Sequence, residues 1–152
     1  MCEIVSFDLA KKLKEKGFKM PTKNIIAMYD EYGVLYPLTT SADYVKCTDG
    51  TRYKGYYDYE DFDGYDYIAP IISQVLKWLR EEKKIHICIN IDYQQIWYWD
   101  IYEISFNALF LGSNEESYQS YEEVDIDDTK RGYQSYEQAA LAAIEYTLDN
   151  LI

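Results

Sequence analysis

Two side chains in this sequence have the reactivity for catalysis or metal binding and a spacing that unites them. His86 is the only histidine, and Cys88 stands two positions further along an alternating run, Ile85-His86-Ile87-Cys88-Ile89-Asn90-Ile91-Asp92. Alternation of this kind is a strand with one buried face, which puts His86, Cys88, Asn90 and Asp92 together on the other side. A structural zinc wants four ligands, and Cys2 and Cys47 have no companion at metal-ligand spacing, so the expected metal set is empty. A cysteine nucleophile with a histidine base needs convergence that alternating strand positions do not supply, and no nucleophile-elbow motif is present. These residues therefore read as ordinary members of a sheet face.

The other chemical motifs fail on spacing. In DYEDFDG, setting Gly64 at the sixth position of a calcium loop puts Tyr59 at the first and Pro70 at the twelfth, where an oxygen ligand and a glutamate belong. Neither G-x-x-x-x-G-K-[ST] nor a helix-opening G-x-G-x-x-G occurs, so the phosphate cradles of nucleotide enzymes are missing. Carboxylates are too abundant for any pair to be singled out for acid-base work. The expectation is a non-enzymatic protein without a cofactor.

What stands out is tyrosine alternating with carboxylate. Between Tyr53 and Tyr67 lie Tyr57, Asp58, Tyr59, Glu60, Asp61, Phe62, Asp63, Tyr65 and Asp66, echoed by Tyr118, Tyr121, Tyr133 and Tyr136 around a second acidic stretch at 113–128. Tyrosine offers a large rigid contact area with a hydroxyl, and carboxylates steer a basic partner from a distance. Tyr57, Asp58, Tyr59, Glu60, Asp61, Asp63, Tyr65 and Asp66 are thus the expected partner-binding residues. Their partner would be a basic protein surface, a nucleic-acid-binding host protein being the type case, met in the manner of a DNA mimic. A second reading, from a different class, is a small-ligand or sequestering protein with Trp97, Trp99 and Tyr102 lining an aromatic pocket. A third, an enzyme using Cys88 or His86, has least behind it.

Bulk composition bounds these readings. The chain has 152 residues, 27 acids against 15 bases, a formal charge of −12 and 17% aromatic residues. That aromatic content separates it from disordered acidic chains. A chain this acidic repels a nucleic-acid backbone over most of its surface, which excludes direct phosphate binding. The exception is local: Lys11, Lys12, Lys14, Lys16, Lys19 and Lys23 outnumber Glu3, Asp8 and Glu15 in the first 24 residues, as the wetted face of a helix. Three scattered cysteines favour a reducing cytoplasm over a disulfide framework. The N-terminal segment has no apolar core of a signal peptide, and no stretch reaches the ~20 apolar residues of a membrane span.

The elements that must position these residues follow from periodicity. Ser6 as N-cap, a stripe of Phe7, Leu9, Ala10 and Leu13, and Gly17 as C-terminal stop predict a helix over 7–16. Ile25–Tyr29 and Val34–Pro37 flank Asp30-Glu31-Tyr32-Gly33 as a β-hairpin. Residues 39–67 lose periodicity and read as a long acidic, tyrosine-rich loop. Pro70 opens a helix with Ile71, Ile72, Val75, Leu76 and Leu79 on one face. Strands follow at 85–92, 96–104 and 106–111, with a turn at Tyr93–Gln95. Ser135 and Gln138 form a capping box for a last helix striped by Ala139, Ala140, Ala143, Ile144, Leu148 and Leu151. The expected fold is one α+β domain over residues 1–152, an antiparallel sheet of about five strands packed against three helices in the order α-β-β-α-β-β-β-α.

The segments SFDLAKKLKEKGF, YIAPIISQVLKWLREEKKIHICI and SYEQAALAAIEYTLDNLI resemble a family of small acidic proteins encoded in gut Bacteroides genomes, prophages and related phages. The likeness runs through nearly the whole chain. It brings no activity, cofactor or catalytic residue with it. It implies a bacterial cytoplasm, during phage infection or with a resident prophage.

Overall fold

The computed structural model describes residues 4–21, 24–37, 44–46, 52–54, 67–105, 110–113 and 132–152. It is an α+β fold with three helices and antiparallel sheets among the described residues. The chain divides into two compact units, residues 1–74 and 75–152.

In the first unit, helix α1 (Phe7–Glu15) begins where the Ser6 side chain accepts from the Leu9 N–H at 3.3 Å. Leu9, Ala10 and Leu13 are buried along its inner stripe. The helix stops at Lys16, and Gly17, at φ 81°, takes the left-handed conformation that lets Phe18 N–H return to the Leu13 carbonyl at 2.8 Å. Strand β1 (Ala27–Tyr29) pairs antiparallel with β2 (Leu35–Pro37), Met28 opposite Tyr36. Strands β3 (Tyr44–Lys46) and β4 (Arg52–Lys54) form a separate hairpin, with Val45 opposite Tyr53. Strand β5 (Tyr67–Ile68) returns to the free edge of β1, Met28 opposite Ile68. Ile25 and Met28 make a small core with Met20 and Ile68. The Tyr29 hydroxyl donates to the Val5 carbonyl at 2.8 Å, and Val5 N–H donates to Pro70 O at 3.0 Å, tying the chain before α1 to this sheet.

Helix α2 (Ile72–Glu82) starts two residues after Pro70. Pro70 thus stands before the helix rather than at its first position, and the Gln74 side chain accepts from Ile71 N–H at 3.0 Å, satisfying a donor at the helix start. Ile72, Val75, Trp78 and Leu79 are its buried positions. Lys84, at φ 58°, breaks the helix, and its ammonium donates to the Glu81 carbonyl at 2.7 Å.

The second unit is a three-stranded meander backed by a helix. Strand β6 (Ile85–Ile91) pairs with β7 (Trp97–Glu103) over all seven residues, and β7 with β8 (Phe110–Ser113), with a bulge between Ile101 and Tyr102. Helix α3 (Tyr136–Asn150) is capped by Ser135, whose hydroxyl accepts from Gln138 N–H at 3.2 Å, and packs on β6 and β7. Ala139, Ala140, Ala143, Ile144 and Leu148 are fully buried, as is Ile101, and Ile85, Ile87 and Trp99 are nearly so. The small alanines admit the wide side chains of the sheet, with Trp99 against Tyr146 at 5.0 Å between ring centroids and Trp97 edge-on to Tyr136 at 5.8 Å. Thr147, also buried, satisfies its hydroxyl by donating to the Ala143 carbonyl at 2.8 Å.

The single sheet of about five strands is therefore corrected to two three-stranded sheets, β2-β1-β5 and β6-β7-β8, with the β3–β4 hairpin apart. Strand β1 has both edges taken by β2 and β5, and β7 has both taken by β6 and β8. Alternation reveals a strand and its faces, not its neighbours. The third strand of the meander is described at Phe110–Ser113, which overlaps the expected 106–111 at its end, and residues 106–109 lie outside the described residues.

Candidate binding surface

The meander presents two chemically different faces. Residues directly opposite in an antiparallel pair share a face. Ile85, Ile87, Ile89 and Ile91 with Trp97, Trp99 and Ile101 form one face; α3 packs on it, burying Ile85, Ile87, Trp99 and Ile101, while Ile91 at the far end of β6 stays 48% exposed. On the other, His86 stands opposite Tyr102, Cys88 opposite Asp100, and Asn90 opposite Tyr98. Strand β8 adds Phe110 beside Tyr102 and Ser113 beside Asp100. The Asn90 amide donates to Asp100 Oδ2 at 3.1 Å, and the Tyr102 and Phe110 rings meet edge-on at 5.6 Å. Phe110 is 50% exposed, and its companions on this face are partly exposed.

The expected grouping of His86, Cys88 and Asn90 is present. Asp92 leaves it, because β6 ends at Ile91 and Asp92 begins the loop. Its Oδ1 accepts from Gln94 N–H at 2.8 Å and Ile96 N–H at 3.0 Å, a turn-making role. Burial, and then the charge of Asp100, push the Cys88 thiol above its ordinary value. The thiol is thus protonated at neutral pH, the opposite of what activates a cysteine nucleophile. Among the described residues no three His, Cys, Asp or Glu side chains gather as a metal site.

Trp97, Trp99 and Tyr102 do not line a common surface. The two tryptophans lie on the α3 side, Trp99 buried against Tyr146 and Trp97 half-buried against Tyr136, and Tyr102 projects from the opposite face. Tyr57, Asp58, Tyr59, Glu60, Asp61, Asp63, Tyr65 and Asp66 lie outside the described residues. Tyr98, Asp100, Phe110 and Ser113 are the members of the polar-aromatic face that sequence reasoning passed over. Alternation along β7 groups Tyr98, Asp100 and Tyr102, but Phe110 joins them only through the β7–β8 register.

Charge is distributed unevenly along the chain. Residues 57–66 hold five acids and residues 113–128 hold seven, with no lysine or arginine in either. Those twelve equal the whole net charge of −12, so the remaining acids and bases balance at fifteen each. No helix of the described residues is long and apolar enough to cross a membrane. No family model matches the chain, nor does any curated protein or solved structure.

Proposed function

We propose that this chain is a non-enzymatic binding protein whose acidic, tyrosine-bearing segments engage a basic protein surface, in the manner of a DNA mimic. The observation that carries the reading is the confinement of the entire net charge to two base-free segments interleaved with tyrosine. A charge serving solubility alone works equally well when spread over the surface; a charge gathered beside aromatic side chains makes a docking surface. The resemblance to small acidic proteins of Bacteroides, their prophages and phages supports a bacterial cytoplasm as the setting, with a nucleic-acid-binding host protein as the partner and regulation or counter-defence as the outcome.

Capture from a nuclease-treated bacterial lysate tests this. The wild-type chain is compared with a variant in which the twelve acids of residues 57–66 and 113–128 become amides. The expected result is a nucleic-acid-binding protein retained by the wild type, released by added duplex DNA and absent from the amide variant. Retention of the same proteins by both chains overturns the proposal.

A further inference from the structure

We infer that the polar-aromatic face of the β6-β7-β8 sheet is an arginine-docking site, with the Asp100 carboxylate receiving the guanidinium and the Tyr102–Phe110 pair receiving its flat face. The inference rests on the reading of the chain as a partner for basic proteins, and names which basic side chain this part of the surface takes.

Asp100, in the central strand of the sheet, is the only acid among the described residues of that face, and neither lysine nor arginine is among them. One of its oxygens accepts from the Asn90 amide at 3.1 Å, which orients the carboxylate while leaving lone pairs for a second donor. A carboxylate flanked by half-exposed side chains, with no base among the described residues of its face, is complementary to an incoming cation. The aromatic pair selects which cation. Tyr102 follows Asp100 by two residues on the same side of β7, and Phe110 stands beside it on β8 with half its surface exposed. At that spacing a planar group held by the carboxylate reaches the rings. A guanidinium both forks onto a carboxylate and stacks on aromatic rings, whereas an ammonium is a compact, strongly hydrated point charge.

The test is fluorescence anisotropy of labelled hexa-arginine and hexa-lysine peptides with the full chain at low salt. The wild type is expected to bind the arginine peptide at least about threefold more tightly than the lysine peptide. Asp100→Asn keeps an acceptor for Asn90 and is expected to abolish that preference, as is Phe110→Ala, with melting curves checking that both variants fold. Converting the acids of residues 57–66 and 113–128 to amides is expected to weaken both peptides equally and leave the preference in place. Equal binding of the two peptides by the wild type, or an unchanged preference in Asp100→Asn, overturns the arginine site alone. Failure of the wild type to bind either peptide overturns the arginine site together with the reading it rests on.

Discussion

Asp30 and Asp92 occupy the same position in two loops of the same construction. Each donates its N–H to the carbonyl four residues on, Asp30 to Val34 and Asp92 to Ile96, both at 3.0 Å. Each carboxylate accepts from the N–H groups two and four residues ahead, at 2.9 and 2.8 Å for Asp30 and 2.8 and 3.0 Å for Asp92. Each loop has a left-handed residue three positions after the aspartate, Gly33 at φ 82° and Gln95 at φ 64°. The two loops differ in how well that residue suits its backbone.

A glycine belongs at both left-handed positions, and only one loop has it. Gln95→Gly is therefore expected to stabilise the protein by about 0.5–1 kcal/mol. Gly33→Ala is expected to destabilise it by more than that, because the added Cβ meets Phe7 Cδ1 at 2.8 Å as well as straining the turn. Urea unfolding of the two variants checks the pair, and a Gln95→Gly midpoint below the wild type refutes the first.

The meander and α3 are mostly legible in the sequence. The faultless alternation of Ile85 to Ile91 marks a strand and its buried side, and Ser135 with the alanine stripe marks a capped helix lying close to its neighbour. The Asp30–Gly33 hairpin was legible because its turn chemistry is local. What escaped reading was non-local: Tyr67 and Ile68 find β1 across nearly forty residues, and two residues carry too little pattern to announce a strand. Trp78 is buried outside the stripe expected for α2. Trp97, Trp99 and Tyr102 were grouped by aromatic character, while the pleat sends Tyr102 to the face opposite the tryptophans.

Packing of α3 on the sheet gives the second prediction. Ile101 is fully buried beneath the helix, so Ile101→Ala is expected to cost about 2–5 kcal/mol. At Gly112 an added Cβ lies 3.3 Å from the Tyr146 ring, so Gly112→Val is expected to destabilise by about 1–3 kcal/mol through overpacking. Chemical denaturation measures both. Wild-type stability in either variant contradicts the seating of α3 on this face.

A third prediction concerns alkaline pH. Burial, reinforced by Asp100, holds the Cys88 proton more tightly in the folded chain than at its ordinary value of 9.0. The unfolded chain therefore releases that proton first. Stability from this group is fully present below pH about 9 and is lost as pH rises through the higher folded value. The Tyr29 phenol, raised from 10.0 by desolvation, adds the same trend at higher pH. Urea midpoints are expected to fall above pH about 9, and to fall less in Cys88→Ala. An identical alkaline loss in that variant rules out the Cys88 contribution.

Asp100 also links the face to its thiol. Removing its charge with Asp100→Asn is expected to bring the Cys88 thiol partway back towards its ordinary value, with burial keeping it raised. Alkylation of Cys88 at pH about 8, resolved by peptide mass, is then faster in the variant. Equal rates mean that Asp100 exerts no field at Cys88.

Recognition by charge is the claim on which the functional account turns, and its most direct measure is the salt dependence of affinity for the captured partner. Wild-type affinity is expected to drop steeply between about 50 mM and about 500 mM salt, with weak, nearly flat binding when the twelve acids of residues 57–66 and 113–128 are amides. The same affinity and the same salt slope in both chains would contradict the account.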